Sequence, residues 1–242
     1  GKEKFPQHLI DVADPNQDYN VSHFVADAKK AIDDIRSRGK LPIIVGGTGF
    51  WIDALVLGTP IPEVKPNAEL RRELEKKTAA ELFEKLQKLD TFRAKHIDKH
   101  NKRRLIRAIE IAHSGTPSLP PPRGEVQEGV LWIGIKLPKE ELDQRIEQRL
   151  NQWFELGLIE ETKKLPNAER FGLAYTAIAK YLKGDLTESE MRTEALQSIR
   201  QYAKRQMTWF KRNKNIRWIN PLDPPYVKGE GIEKFVREWL SS

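Results

Sequence analysis

A glycine-rich turn behind an apolar run is the first feature that could do chemistry. The sequence GGTG occupies residues 46–49, between the apolar run 41–45 and a helical pattern over residues 50–57. Glycines let backbone amides approach a ligand, the helix behind them offers a positive dipole end, and Thr48 adds a hydroxyl. The turn predicts a ligand site, with a ligand-free strand-to-helix turn as the alternative. It is not a Walker A loop, since GxxxxGK[ST] occurs nowhere in the chain.

An arginine at the border of an apolar helix face is the second feature. Residues 139–165 have the pattern of one long helix. Its inward stripe at helical spacing comprises Leu142, Ile146, Leu150 and Trp153. Arg149 lies on the border of that stripe, where a half-sheltered guanidinium can bind phosphate oxygens through parallel hydrogen bonds. The alternative is an ion pair with a carboxylate of its own fold.

Two further segments are basic. In the helical pattern 187–213, the predicted exposed cations are Arg200, Lys204, Arg205, Lys211 and Arg212. Such a face near aromatic residues suits a nucleic-acid backbone, or is merely solvated. Gln206 falls within the apolar stripe, so it either ties the fold together or faces a ligand. Residues 96–110 form the other basic segment, with Arg103, Arg104 and Arg107 close together on a helix.

A histidine pair in the second basic segment has metal-ligand spacing. His96 and His100 are separated by one helical turn. No acidic third ligand is evident nearby, so we do not expect them to bind a metal.

The elements that must position these residues alternate between strand and helix patterns. Residues 7–13 are expected to be a short strand or its exit. Further strands are expected at residues 41–45, 130–137 and 216–219, and helices at 21–38, 50–57, 69–90, 101–113, 139–165, 187–213 and 229–240. The continuous apolar run 41–45 implies burial on both faces, as in a parallel sheet. Proline-rich stretches flank the two charged helices in the middle. We therefore expect an α/β core, residues 1–62 and 129–242, with a helical insertion at 63–128.

Composition limits the possible functions. The 242 residues carry a net charge of +7, with an isoelectric point near 9.4. This balance favours a polyanionic partner. The absence of cysteine excludes disulfides and thiolate zinc sites. No apolar run approaches the roughly 20 residues that span a bilayer. We expect no membrane association, a cytoplasmic location and, without a heptad seam, a monomer.

Five segments in this order resemble the tRNA dimethylallyltransferases, also called tRNA isopentenyltransferases. They are HLIDVADPNQDYNVSHF, LPIIVGGTGFWIDAL, RRLIRAIEI, LDQRIEQRL and AKRQMTWFKR. The resemblance implies a P-loop NTPase-like parallel-sheet core with a helical insertion domain that contacts tRNA. It implies transfer of a dimethylallyl group from dimethylallyl diphosphate to the exocyclic amine of the adenosine 3′ to the anticodon. The tRNA anticodon stem-loop is then the partner, and Mg²⁺ the expected cofactor.

The resemblance also assigns roles to residues. Thr48 matches the threonine of the GGT motif that lies against the substrate RNA, and Arg149 matches the arginine that holds the diphosphate. Both are therefore candidate catalytic residues. The positions expected to contact tRNA are Thr48, Arg71, Arg103, Arg104, Arg107, Gly172, Tyr175, Lys204 and Arg205. Gly172 and Tyr175 fall in a predicted loop, residues 171–176, which departs from the family pattern at Ala174 and Thr176.

Two parts of the family pattern precede the first residue of this sequence: the P-loop, and an aspartate that acts as base. The resemblance therefore implies little or no transferase activity for the 242-residue chain alone. A non-catalytic RNA-binding module derived from such an enzyme is the alternative. A P-loop nucleotide kinase, suggested by fold alone, is a weaker one because the phosphate loop is missing.

Overall fold

The chain divides into two compact units. One consists of residues 1–56 and 126–242, here the core unit, and the other of residues 57–125, here the helical unit. The computed structural model describes residues 6–58, 61–116, 129–223 and 230–241. The sequence-based boundaries at 62/63 and 128/129 lie close to this division. The assignment of the insertion to tRNA contact stays a prediction.

The described elements are mostly helices. In chain order they are α1 (Val21–Ser37), α2 (Gly49–Val56), α3 (Ala68–Glu75), α4 (Ala79–Leu89), α5 (Thr91–His96), α6 (Lys102–His113), β1 (Ile133–Ile135), α7 (Lys139–Glu155), α8 (Leu158–Lys164), a 3-10 helix (Ala168–Phe171), α9 (Leu173–Leu182), α10 (Glu188–Phe210), β2 (Arg217–Ile219) and α11 (Glu230–Leu240). A mixed α/β fold was expected, and it is confirmed. None of the helices in the described ranges is long and apolar enough to cross a membrane.

The two strands of the core unit pair in parallel. Ile133 lies opposite Arg217 and Ile135 opposite Ile219. Strands were predicted at both places, and both are shorter than expected. Beneath the sheet, Trp132 packs with Val56 and Ile216, so the end of α2 is anchored at the sheet.

The other two predicted strands do not form among the described residues. Residues 7–13 and 41–45 have no strand pairing. Burial of the apolar run 41–45 was also a wrong prediction, because Ile43 is 78% exposed and Val45 is 90% exposed. A strand is stabilised by a hydrogen-bonded neighbour, and within the described residues this run has none. Hydrophobicity alone therefore did not determine its conformation.

Helices α7 to α10 form the main core around Ile146, Leu150, Ile178, Met191 and Ile199. Ile146 and Leu150 lie in the predicted inward stripe of α7. Trp153 does not, because it is 38% exposed. The predicted single helix 139–165 is also wrong. Gly157 has φ of +94°, a left-handed conformation that favours glycine, and it separates α7 from α8.

The helical unit is built from α3 to α6 around Leu74, Leu82, Leu86, Leu105 and Ile109. A side chain caps each of these helices. The caps are Asn67, Thr78, Asp90 and Asn101, in the same order. The Thr78 cap, completed by Glu81, divides the predicted helix 69–90 into α3 and α4.

Candidate active site

The glycine turn is held against helix α10. A Cβ on Gly47 would lie 1.9 Å from Nε2 of Gln206, and a Cβ on Gly49 would lie 2.1 Å from Cδ1 of Trp209. The steric requirement for glycine is stricter at position 49 than at position 47, because a packed indole ring moves less readily than the end of a glutamine side chain. Gln206 thus packs against the glycine turn, a contact compatible with both roles that its place in the apolar stripe had suggested.

Thr48 immediately precedes α2 and lies next to a tyrosine of α10. Its backbone oxygen accepts hydrogen bonds from the amides of Trp51 at 2.9 Å and Ile52 at 3.2 Å. Its Oγ1 lies 3.5 Å from Oη of Tyr202, where either hydroxyl can donate. Thr48 is exposed, so its hydroxyl can also reach a ligand. The structure therefore brings the predicted Thr48 next to α10, which carries the predicted Lys204 and Arg205.

Asp53 is a polar residue of this region that the sequence did not single out. The indole N–H of Trp209 donates to Oδ2 of Asp53 at 2.8 Å. Burial raises the pKa of Asp53 above its ordinary value of 3.8, while the hydrogen bond from Trp209 acts in the opposite direction. A signal was available: Asp53 is the only charged residue in α2, and buried Ala54, Leu55 and Val56 follow it.

Helix α7 carries two arginines in contrasting surroundings. Arg145 forms an ion pair with Glu141, one turn earlier on the same helix. Arg149 is exposed, and its Cζ lies 5.2 Å from the centre of the Trp153 ring. The described structure shows no carboxylate paired with Arg149. An ion pair within its own fold was the alternative for Arg149, and these contacts do not favour it.

The exposed basic face of α10 is smaller than predicted. Lys204, Arg205, Lys211 and Arg212 are exposed. Arg205 lies over Tyr202 at 5.8 Å, and Arg212 over Trp209 at 5.3 Å.

Arg200 does not belong to that face. It turns toward α7, where it lies 3.5 Å from Asp143 and 3.7 Å from Glu147. Helix α10 therefore contacts α7 through Arg200, and it contacts the glycine turn through Tyr202, Gln206 and Trp209.

In the helical unit, two of the predicted tRNA-binding arginines hold a buried carboxylate. The side chain of Glu110 is 1% exposed and accepts hydrogen bonds from Arg71 at 2.7 and 2.8 Å and from Arg107 at 3.2 Å. The Asn67 amide adds another at 2.9 Å. Burial by itself would raise the pKa of Glu110, but the hydrogen bonds from Arg71, Asn67 and Arg107 outweigh it, so the pKa is lowered.

The remaining arginines of that group are placed differently. Arg103 and Arg104 lie exposed in the first turn of α6, and the described residues provide neither with an ion pair. Arg107 also donates to the carbonyl of Val64 at 2.9 Å. Arg71 and Arg107 therefore have a structural role, whereas Arg103 and Arg104 are available to a ligand.

Gly172 and Tyr175 lie at a helix start, so the prediction of a loop over residues 171–176 is wrong. A 3-10 helix ends at Phe171, and α9 begins at Leu173. Gly172 has φ of 67° and ψ of −160°, a conformation that glycine alone adopts readily. Tyr175 donates to Oε1 of Glu161 at 2.6 Å, and burial together with that carboxylate raises its pKa to about 12. This hydroxyl is therefore used inside the fold.

The expected Mg²⁺ has no evident ligand set in the described part of the chain. No three acidic or histidine side chains come together there in a way that could hold a metal ion. The carboxylate beside the glycine turn, Asp53, is bonded to Trp209. His96 ends α5 with its Nδ1 2.9 Å from the carbonyl of Phe92, and His100 lies beyond that helix. His96 and His100 are therefore not one turn apart on a common helix.

Fold and site together define a mixed α/β protein whose described part carries exposed arginine and lysine side chains outside its ion pairs. The family model described as IPP transferase matches residues 1–213. The chain belongs to this family.

Relatives match over most of the chain. A tRNA dimethylallyltransferase of Thermomicrobium roseum is 36% identical over 96% of this chain and 75% of its own length. One of Anoxybacillus flavithermus is 36% identical over 91% of this chain and 74% of its own length.

Solved structures agree in fold. The tRNA isopentenylpyrophosphate transferase of Bacillus halodurans superposes with a TM-score of 0.68 at 31% identity, covering 98% of this chain and 79% of that one. A eukaryotic dimethylallyltransferase acting on tRNA gives a TM-score of 0.71 at 20% identity, covering 98% of this chain and 66% of that one. The second likeness concerns the fold alone.

Proposed function

We propose that the protein transfers a dimethylallyl group from dimethylallyl diphosphate to the exocyclic amine of the adenosine 3′ to the anticodon in tRNA. The observation that carries this proposal is the similarity to proteins of that activity over nearly the whole chain. The expected place of action is the cytoplasm, with the protein acting as a monomer.

In this reaction the amine nitrogen attacks the first carbon of the prenyl group. The bond from that carbon to oxygen breaks, its electrons leave with the diphosphate, and the nitrogen loses a proton. Negative charge grows on the departing oxygens, and a cation aimed at them lowers the barrier. Arg149 suits this task, because its guanidinium is exposed and has no carboxylate partner in the described structure.

The adenosine must leave its stack to reach the donor. Thr48 then offers a hydroxyl at the glycine turn, 3.5 Å from that of Tyr202. Arg205 lies over the Tyr202 ring at 5.8 Å, and Lys204 is exposed on the same helix. We assign these cations to the RNA backbone, together with Arg103 and Arg104 of the helical unit.

The other predicted RNA contacts stay proposals, because the side chains concerned already have partners within the fold. Arg71 and Arg107 donate hydrogen bonds to Glu110, and Tyr175 donates its hydroxyl hydrogen to Glu161. Any RNA contact from them would be made alongside these hydrogen bonds. Gly172 would contribute backbone atoms. The expected Mg²⁺ lacks a ligand set among the described residues, so no step of the reaction is assigned to it.

The proposal is tested with two anticodon stem-loop RNAs that differ at one base. One carries adenosine 3′ to the anticodon, and the other carries inosine, which lacks the exocyclic amine. After incubation with dimethylallyl diphosphate, mass spectrometry of the digested nucleosides should show a prenylated adenosine and no modified inosine. Binding of both RNAs without any transfer would instead support the non-catalytic RNA-binding module.

Thr48→Val gives a second readout, because valine keeps the shape and removes the hydroxyl. Loss of one hydrogen bond to the reacting complex should lower kcat about tenfold. Thr208→Val on α10 is the matched control, since its Oγ1 donates to the Lys204 carbonyl within the helix. Equal rates for the Thr48 variant and the wild type would remove Thr48 from the reaction.

A further inference from the structure

Arg149 differs in what it contacts from Arg145 and Arg200, two other arginines near helix α7. Arg145 pairs with Glu141, and Arg200 of α10 lies near Asp143 and Glu147. Carboxylates of α7 thus engage both neighbouring arginines. Arg149 instead lies over the indole of Trp153, at 5.2 Å from the ring centre.

The sequence of α7 produces this difference. Side chains meet along a helix at spacings of three and four residues. At those spacings Arg149 has Arg145, Ile146, Gln152 and Trp153 as neighbours. None of them is acidic, so no carboxylate of its own helix can capture Arg149 at these spacings. The indole is the one aromatic surface in this set.

The contact between Arg149 and Trp153 is made by the guanidinium over the ring and is not a hydrogen bond, so it does not use the N–H donors. A guanidinium that stacks on a ring uses its flat face, and its N–H groups point outward in the plane. Trp153 is 38% exposed, so its ring lies at the surface beside the arginine. A fixed ring beneath a flexible side chain also reduces the entropy that is lost when the arginine binds an anion.

We propose that Trp153 is a positioning residue, which holds the Arg149 guanidinium with its donors directed at the diphosphate of the prenyl donor. This inference rests on the proposed function, because it takes the diphosphate as the ligand of Arg149. It adds a residue that acts through Arg149 and does not itself take part in the chemistry.

Three variants and a control test the proposal. Trp153→Leu removes the aromatic face, Trp153→Phe keeps a smaller one, and Arg149→Ala removes the cation. Arg145→Ala, one turn earlier on the same helix, is the matched control. The measurements are calorimetric binding of inorganic pyrophosphate, KM for dimethylallyl diphosphate, kcat, and the thermal midpoint of unfolding.

We expect Arg149→Ala to weaken pyrophosphate binding about 10- to 100-fold, the effect of losing charge-assisted hydrogen bonds. Trp153→Leu should weaken it about two- to fivefold, as expected for a surface cation–π contact. The same factor should appear in KM with kcat little changed. Trp153→Phe should recover part of the loss, and Arg145→Ala should bind like the wild type. Unfolding midpoints should agree, because Trp153 is surface-exposed.

Several outcomes would overturn the inference. One is a Trp153→Leu variant that binds pyrophosphate as well as the wild type while Arg149→Ala does not. Another is a variant that loses affinity for the anticodon stem-loop but not for pyrophosphate, which would assign the pair to an RNA phosphate. If Arg149→Ala also binds normally, the diphosphate role of Arg149 fails while transfer activity can persist. If the pyrophosphate pattern holds and no transfer occurs, the proposed function fails and the positioning role stands.

Discussion

Arg71 and Arg107 of the helical unit and Arg149 of the core unit occupy opposite environments. Arg71 and Arg107 converge on the buried carboxylate of Glu110. Arg149 of the core unit lies at the surface over an aromatic ring. The same side chain type therefore stabilises the fold in one place and is free to bind a ligand in the other.

All three arginines are on helices, so the difference arises from which acidic side chains each arginine can reach. Arg107 has Glu110 three residues later on α6, and Arg71 reaches the same carboxylate across 39 residues of sequence. Arg149 has no acid one turn away on α7. An arginine that already donates to a buried carboxylate has fewer N–H groups to offer a phosphate. In the described structure no carboxylate takes up the N–H groups of Arg149.

Replacement of Glu110 by glutamine should have the largest effect. Glutamine at this position would keep the shape of the side chain and lose the charge that accepts from Arg71 and Arg107. These arginines are 39% and 35% exposed, so water partly compensates them. We expect the free energy of unfolding to fall by about 2 kcal/mol.

Urea denaturation measures this loss, and Glu73→Gln is the matched control. Glu73 is 61% exposed and lies 3.7 Å from Lys85, so its loss should cost no more than about 0.5 kcal/mol. Equal losses for the two variants would mean that the Glu110 cluster is no more stabilising than a surface ion pair.

The exposed arginines of the same unit should show the reverse pattern. The double variant Arg103→Gln, Arg104→Gln should leave unfolding unchanged and weaken binding of the anticodon stem-loop about tenfold at low salt. The logarithmic salt dependence should become shallower by about 0.7 for each lost phosphate contact. Lys88→Gln, an exposed cation on α4, is the control. If Arg71→Gln weakened binding of the anticodon stem-loop more than the double variant did, at equal stability, Arg71 could not be assigned to the fold and Arg103 and Arg104 to the RNA.

The Glu110 cluster should also make stability depend on pH. The folded-state pKa of Glu110 lies below its ordinary value of 4.5. Its contribution is therefore fully present above that value, and it is lost as the pH falls through the folded-state pKa. Denaturation of the wild type and of Glu110→Gln between pH 7 and pH 3 should show curves that converge on the acid side. A constant difference over that range would contradict the assignment.

Sequence patterns predicted the helices and strands whose own residue spacing indicates which face is buried. Helices α1, α6 and α10 were evident from apolar spacing, and both paired strands fell within predicted ones. Hydrophobicity predicted burial for residues 41–45, but it could not show whether a neighbouring strand is there to pair with them. The break at Gly157 was visible as a glycine inside a helical pattern, but glycine is also tolerated within helices.

The sequence predicted individual residues of the candidate site, but it did not predict the contacts between them. Nothing in the spacing of α10 shows that Arg200 turns toward α7, because that depends on how two helices pack. The same holds for the bond between Asp53 and Trp209, which are 156 residues apart. Arg149 could be placed at a stripe border by counting. Its partner Trp153 could not be assigned while that residue was expected to point inward.

The smallest expected effect comes from Glu141→Gln, which releases Arg145 and leaves Arg149 untouched. An exposed pair one turn apart contributes about 0.3–0.5 kcal/mol, so unfolding should change by no more than this. Pyrophosphate affinity should rise less than about twofold, because only a screened surface charge is removed. In that case the loss of its carboxylate partner would not be enough to make Arg145 bind pyrophosphate. The ring contact that Arg149 makes with Trp153 would be the further requirement for anion binding. A tenfold gain would show instead that a missing carboxylate is enough to make an arginine of α7 bind the anion.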